Sequence, residues 1–421
     1  MLTQILLEIM SAVVLFLLFF WLFIYYEILN EGKGKARVKN LPRIAMVIPT
    51  LFEGDDLRLS VESVLASDYP RDKIKIYVGL NKATDEKTRR VAHSFGRYGV
   101  EAVDTGVNGK AAVMNYVLKH KVKEEFVATL DADSMADRKM LRKLIVPFSD
   151  KGVGAVAPSV AVYNPKKAVQ LIQKYDYIFS IVLRKAFSHV GNLLVAPGPG
   201  SMFRLSALKD IGYFDERNIT EDMEVAIHLL TEGYKVENVI DAFSYTIVPD
   251  KIYALFKQRG RWYTGFFYNM LKYRKKIMSK DNHGLIDRSI MVLIFTSVFF
   301  SIIALPLVGY YIYVGISYTY NSIANVGLTF SLQTLQQEII NVGYSWSVLS
   351  TLGILLLVFG IYSLFYALNG VTKRIDAVKD TLGIAVYTTL FSYFLGLTWL
   401  YGFINGTIFK KKVAWKIANR N

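Results

Sequence analysis

The sequence predicts an α/β domain with a mostly parallel sheet, bounded at both ends by apolar segments. Three observations carry this. Between residues 42 and about 250, short apolar runs alternate with helix-like stretches. Residues 5–26, "ILLEIMSAVVLFLLFFWLFIYY", are long and apolar enough to span a bilayer. Three further apolar segments follow, at about 289–316, 345–368 and 381–407.

The elements of the domain come in order. "RIAMVIPT" (43–50) reads as a buried strand, and "DDLRLSVESVLASD" (55–68) as a helix opened by an Asp cap. Strand "KIKIYVGL" (73–80) and helix "DEKTRRVAHSFGRYG" (85–99) follow, then strand "VEAVDTG" (100–106), helix "GKAAVMNYVLKHK" (109–121) and strand "EFVATL" (125–130). Strands separated by helices of this length imply parallel neighbours covered by helices. In such sheets ligands bind at the carboxyl ends of the strands.

Composition points to a membrane. The chain has 421 residues, 52% of them apolar, and its mean hydropathy of +0.29 is high for a soluble protein. A cleaved signal peptide fits residues 5–26 poorly, because the run is too long and lacks a basic start and a small-residue cleavage site. The net charge of +15 collects beside the apolar segments, in "EGKGKARVKNLPR", "KYRKKIMSK" and "KKKVAWKIANR". That is the positive-inside pattern, and without a nucleic-acid motif it gives no reason to expect a nucleic-acid partner. Cysteine is absent, which removes disulfides and thiolate chemistry, and the five histidines have no metal-ligand spacing.

The basic loops give an orientation. Lys33, Lys35, Arg37 and Lys39 place the domain on the cytoplasmic side of the first span. The loop from Ser317 to about Tyr344 has no Lys or Arg and reads as external. Lys373, Arg374 and Lys379 read as internal, so a further crossing would put Lys410, Lys411 and Lys412 outside, against the rule. A re-entrant or interfacial segment over 381–407, with Gly396, Gly402 and Gly406, would remove the conflict. "NIT" at Asn218 and "NGT" at Asn405 match the glycosylation pattern, both by chance on this reading.

Five clusters carry chemistry. In "TLDADS" (129–134), Asp131 and Asp133 follow a strand, where the alternation of faces breaks and both can reach one site. Paired carboxylates suit a divalent cation with hard oxygen ligands, though Asp-rich turns are also common. In "NITEDMEVAIHLLTEGYKV" (218–236), Thr220 can cap a helix with Glu221 and Asp222 in its first turn and a stop at Gly233. The helix dipole alone would account for those acids, while the functional reading makes one a general base. "GVNGKAAVMN" (106–115) sets Lys110 at a helix start, an anion site that lacks the full P-loop pattern. "APGPGSMFR" (196–204) is a turn where backbone can approach a ligand, or an ordinary loop. Finally, "QRGRW" (258–262) sits just before the chain turns apolar. Arg261 can fork onto phosphate, Gln258 both donates and accepts, and Trp262 offers a face of the kind sugars stack on. A membrane-edge anchor would also use Arg and Trp.

Together "DAD" (131–133), "TED" (220–222) and "QRGRW" (258–262) resemble the ordered marks of the membrane-embedded family 2 glycosyltransferases, the cellulose, chitin, hyaluronan and poly-N-acetylglucosamine synthases. The resemblance covers roughly residues 42–270. It implies a GT-A (Rossmann-like) domain over 40–250 and an N-terminal transmembrane helix over 1–28. An interfacial helix region would follow at 251–280, then a C-terminal transmembrane region with basic tail over 289–421. It implies an integral plasma-membrane protein with a cytoplasmic catalytic domain, a nucleotide-sugar donor, usually UDP-linked, and Mg²⁺ or Mn²⁺. By position, Asp133 would ligate the metal and Asp131 would lie beside the nucleotide. Thr50, Glu53 and Lys110 match nucleotide-binding positions. Asp222 would be the base, with Glu221 beside it. Gln258, Arg261 and Trp262 would hold the diphosphate and the acceptor end, and Gly200 and Ser201 would touch the acceptor.

One departure stands out. Asn81 in "LNKATD" occupies the place of the Asp expected to hold the uracil end, so another nucleotide such as GDP stays open. The tail "VAWKIANR" loosely resembles a Trp-and-Arg segment at the cytoplasmic end of some synthases. The leading expectation is inverting, processive polysaccharide synthesis with secretion. The alternative is transfer of one sugar to a lipid acceptor, which the modest number of spans favours. A degenerate binding or assembly subunit is opposed by the three complete motifs, and a transporter by apolar segments that carry almost no charge.

Overall fold

The computed structural model describes residues 40–189, 191, 193–279, 313–321, 323–325, 355, 358, 361–362 and 377–409. The chain divides into two compact units, Met1–Gly32 with Ile294–Tyr366, and Lys33–Leu293 with Ala367–Asn421. In the first, the described residues include a helical run at 313–321. The second unit holds everything that follows.

Its centre is one eight-stranded sheet. The strands are β1 (Ile44–Thr50), β2 (Ile74–Leu80), β3 (Val100–Asp104), β4 (Phe126–Thr129), β5 (Ser134–Ala136), β6 (Val153–Val162), β7 (Met202–Arg204) and β8 (Lys235–Thr246), in the order β3-β2-β1-β4-β7-β6-β8-β5. The first four run parallel, in register Ile44 to Ile74 and Ile44 to Phe126, as the alternation predicts. The second half corrects the expectation of a mostly parallel sheet. β7 runs antiparallel to β4 and β6, and β5 antiparallel to β8, so the sheet is mixed. The reason is local: β5 and β7 have three residues each, too short to show any period in sequence.

Helices α1 (Asp56–Leu65), α2 (Glu86–Ser94) and α3 (Lys110–His120) link the parallel strands. Apolar faces of α1 and α2 close on the sheet: Leu57, Val61, Val64 and Val91 share one buried cluster with Ile44, Met46, Ile48, Ile76 and Leu80. Burying side chains of this size stabilises the fold by about 1.5–3 kcal/mol each. The Asp cap expected on α1 is not made. Asp55 has helical backbone angles, which turn its carboxylate from the helix N–H groups, and it pairs with Lys87 at 2.5 Å instead. The remaining helices are α4 (Met140–Leu144), α5 (Ala168–His189), α6 (Leu205–Asp210), α7 (Glu221–Thr231) and α8 (Ile252–Met278). The stop at Gly233 is present, with φ +89°.

Residues 377–408 form α9 (Ala377–Val386), a wide π turn (Tyr387–Phe391), α10 (Ser392–Phe403) and a second π turn (Ile404–Ile408). α10 lies on α8 at backbone distance. A Cβ on Gly406 would fall 2.8 Å from the Thr264 carbonyl, and one on Gly260 would fall 2.9 Å from the Tyr401 ring. The glycines at 402 and 406 therefore serve helix packing. Among the described residues no helix is long and apolar enough to cross a membrane. The spans expected at 5–26, 289–316 and 345–368 fall wholly or almost wholly outside the described residues.

Candidate active site

The carboxyl ends of β1, β2 and β4 open on one cavity. Thr50, Leu51 and Glu53 line it from β1, Asn81 from β2, Asp131 and Asp133 from β4, Lys110 from the start of α3, and Arg261 from α8. Seven residues expected to bind donor, metal or diphosphate thus meet in one place, although the sequence spreads them over 210 positions (Thr50 to Arg261). Both carboxylates of "DAD" reach the same side because the strand ends at Thr129 and the chain turns before β5.

Local bonds fix several of these groups. Thr50 is buried and its hydroxyl donates to the Gly79 carbonyl at 3.1 Å. The Glu53 carboxylate accepts from the Leu51 N–H at 2.6 Å, and the Asn81 side-chain oxygen accepts from the Ala83 N–H at 2.9 Å. Asn81 thus spends its carbonyl on its own turn.

Lys110 joins the cavity to α7. Its ammonium lies 2.7 Å from Asp131 Oδ1 and 2.7 Å from Glu221 Oε1. Burial works against its charge, but Asp131, Glu221 and Asp222 outweigh burial and hold the ammonium protonated well above the usual lysine range. A Cβ at position 198 would fall 2.7 Å from Lys110 Nζ and 2.8 Å from Asp131 Oδ1. A side chain at 198 would push the ends of both partners aside, so glycine leaves the 196–200 loop room to lie over this pair, a close backbone approach directed at an ion pair of the protein itself.

Glu221 and Asp222 are neighbours with opposite shifts. Burial pushes Glu221 up, yet the charge and hydrogen bond of Lys110, with Arg261 behind them, bring it below the usual carboxylate range. Asp222 lacks that direct bond. Burial, then the adjacent Glu221 charge, push it up to about 6 against the pull of Lys110 and Arg261. The helix N-terminus alone would have lowered it. Two neighbouring acids driven apart in this way divide labour: one stays a fixed anion, the other can take a proton near neutral pH. Thr220 does not cap α7 with its side chain; its hydroxyl donates to Asn218 Oδ1 at 3.3 Å.

"QRGRW" divides in the structure. Arg261 lines the cavity and donates to the Ile219 carbonyl at 2.8 Å. Gln258 and Trp262 lie outside the cavity lining. The Gln258 side-chain oxygen is buried and accepts no hydrogen bond among the described residues. Trp262 packs on Val160, Tyr177 and Val248, and the Arg259 guanidinium sits 4.3 Å over its ring. Arg259 is itself buried and pairs with Asp176 of α5 at 2.6 Å. A snorkelling anchor would keep such a charge in water.

Gly200 and Ser201 lie in the floor between β4 and β7, not in the cavity lining. Gly200 has φ +102°, and the buried Ser201 hydroxyl donates to the Pro197 carbonyl at 2.7 Å. Sequence reasoning missed the partners of the cluster: Gly198, Asp176, Arg259 and Arg184, whose guanidinium burial depresses to about 10. Gly198 and Arg259 stood in stretches already singled out, "APGPGSMFR" and "QRGRW", but without a role.

The donor set fits a divalent cation in one respect. Asp131 and Asp133 give hard oxygen ligands on one cavity wall. No group of three or more potential metal-ligating side chains gathers among the described residues. A cation held here would complete its shell with phosphate and water, as Mg²⁺ usually does.

A mixed α/β sheet with an acid-lined, lysine-bridged cavity at its strand ends is the architecture of an enzyme acting on an anionic ligand. Residues 42–265 match the family described as glycosyltransferase like family 2, and the chain belongs to that family. It is 28% identical over 263 residues to the poly-β-1,6-N-acetyl-D-glucosamine synthase of Staphylococcus epidermidis, covering 60% of this chain and 63% of that one. The same-named protein of Staphylococcus aureus (strain MSSA476) is 28% identical over 237 residues, covering 55% and 57%. The chain therefore spans less than two thirds of the length of these relatives. A mannosyltransferase from Pyrobaculum calidifontis, solved with GDP-Man and Mn²⁺, shares the fold with a TM-score of 0.57 at 18% identity, over 96% of this chain and 100% of that one.

Proposed function

We propose that this glycosyltransferase is a membrane-bound, inverting, processive polysaccharide synthase, using a nucleoside-diphosphate sugar, UDP-linked, as donor. The observation that supports this reading is the Lys110 bridge, which ties Asp131 of the cavity wall to Glu221, the neighbour of Asp222, although neither acid of α7 is in the cavity lining. Thr50, Glu53, Asn81 and Lys110 hold the nucleotide and its phosphates. Asp133, beside Asp131, would hold Mg²⁺ or Mn²⁺, which would supply charge neutralisation for the leaving diphosphate. Arg261 adds a second cation on the diphosphate side. Asp222 removes the proton from the acceptor hydroxyl. The new C–O bond forms at the sugar's anomeric carbon as the bond to phosphate breaks, and the nucleoside diphosphate leaves with the electron pair. Gln258 and Trp262 steady the acceptor end, with Gly200 and Ser201 shaping the floor beneath it.

The names of the relatives support N-acetylglucosamine as the sugar. Membrane attachment through residues 1–28 and the C-terminal region is part of the same reading, with the catalytic domain, 40–250, cytoplasmic and 251–280 interfacial. Exposed Leu382, Leu390, Leu397 and Ile408 along 377–408 support contact with lipid. The modest number of apolar segments favours a second reading, transfer of one sugar to a lipid acceptor. Detergent-purified protein given labelled donor should yield product that grows in size with time on a gel. A single lipid-soluble product of fixed size would select the second reading.

A further inference from the structure

The loop just before Glu221 and Asp222 is held by a single helix face. On α8, residues 261, 265 and 269 follow at four-residue spacing and so lie on one side. Arg261 donates to the Ile219 carbonyl at 2.8 Å. Gly265 faces Thr220 so closely that any side chain there would collide with the Thr220 hydroxyl. Asn269 is fully buried; its side-chain oxygen accepts from the Asn218 amide at 2.7 Å, and its own amide donates to the Thr220 hydroxyl at 3.2 Å. The Asn218 oxygen in turn accepts from the Thr220 N–H at 3.1 Å and from its hydroxyl at 3.3 Å. Asn218 is thus a buried structural residue.

We propose that Asn269 is a positioning residue: it holds residues 218–220 so that Asp222 keeps its register with Arg261, which sits two helical turns away on the same face. The sequence around Asn269 carries no motif, and its role follows from three side chains that close on one another out of solvent. Further along, Lys272 bonds Asp215 at 2.8 Å and Glu224 at 2.6 Å, so it holds both the stretch that leads into the loop and the body of α7. The buried Tyr273 hydroxyl donates to Glu224 inside α7, past the loop, which makes it a control for general stability. The proposal rests on Asp222 acting as the base, as argued above.

The test compares Asn269→Ala and Asn269→Asp with Tyr273→Phe in full-length, detergent-purified protein. Asn269→Asp keeps the size and the acceptor towards Asn218, and covers the case in which alanine does not fold. Both Asn269 variants should lower transfer kcat about 10- to 100-fold, the scale of a misplaced catalytic group, with donor KM within about twofold. Tyr273→Phe should lower the unfolding temperature, yet leave kcat within about twofold. Hydrogen exchange supplies an arm without substrate: amides 219–223 should exchange at least about tenfold faster in Asn269→Ala, while those of β1 and α3 do not change. Unchanged exchange at 219–223 overturns the proposal, as does equal loss of kcat in Tyr273→Phe. A wild type that turns over no donor would overturn the glycosyl-transfer reading, and the exchange arm would still decide this one.

Discussion

The Lys110 ammonium stands 2.7 Å from the Asp131 carboxylate, with the backbone of Gly198 laid over the pair. Asp131 lines the cavity, and the same ammonium holds Glu221 at the start of α7. Lys110→Met should therefore fail at both ends at once. It leaves two adjacent carboxylates facing each other, and removing one partner of a largely buried pair costs about 3–5 kcal/mol. Donor affinity and unfolding temperature should fall together, measured by nucleotide binding and thermal melting. Gly198→Ala should weaken donor binding by crowding the same pair. Wild-type binding in both variants would show that the bridge is incidental.

Burial and the adjacent Glu221 charge push the Asp222 carboxyl up to about 6. Below that pH its carboxyl carries a proton and cannot accept another. Transfer kcat/KM should rise with pH through about 6 and level off above it, because this parameter reports the free enzyme's essential groups. Asp222→Asn should lower the rate about 10²- to 10⁴-fold, the usual worth of general-base help, and remove the acid limb. A flat profile across that range in the wild type would move the base elsewhere, with Glu221 the next candidate.

Asp133→Asn should abolish transfer while the protein still folds, and excess EDTA should do the same to the wild type until Mg²⁺ or Mn²⁺ is restored. The reasoning is that a developing diphosphate needs its charge neutralised. Full turnover in EDTA would remove the metal from the account.

Arg261 and Trp262 separate by position. Arg261 lines the cavity, so Arg261→Lys should be severe, because an ammonium cannot reproduce the planar fork. The loss of a charge-assisted hydrogen bond is about 1.5–3 kcal/mol, or roughly 10- to 100-fold in rate. Trp262→Ala removes the ring under Arg259 and should hurt use of the acceptor more than hydrolysis of the donor to water. Transfer and hydrolysis, assayed side by side, distinguish these outcomes.

Much of this site was legible in the sequence, and the reasons are physical. The parallel half of the sheet announces itself through long apolar strands such as Ile44–Thr50, buried throughout. Strand-end carboxylates at 131 and 133 and helix-start residues at 110, 221 and 222 then follow from where α/β sheets place ligands. The antiparallel strands β5 and β7 stayed hidden because three-residue strands carry no pattern. Contacts across long separations stayed hidden too. Nothing near Arg259 marks Asp176 as its partner, and nothing near Asn269 marks Asn218. The Asp55 cap failed because a cap depends on backbone angles as well as residue type.

The most direct test of the central claim is a panel of nucleotide sugars, UDP-N-acetylglucosamine and GDP-mannose among them, given to the purified wild type and to Asp222→Asn with Mg²⁺ present. The account predicts that the wild type releases nucleoside diphosphate from one UDP-linked donor in step with product formation, and that Asp222→Asn releases about 10²-fold less or lower still. Release at the same rate from both proteins, or from no donor in the panel, would contradict it.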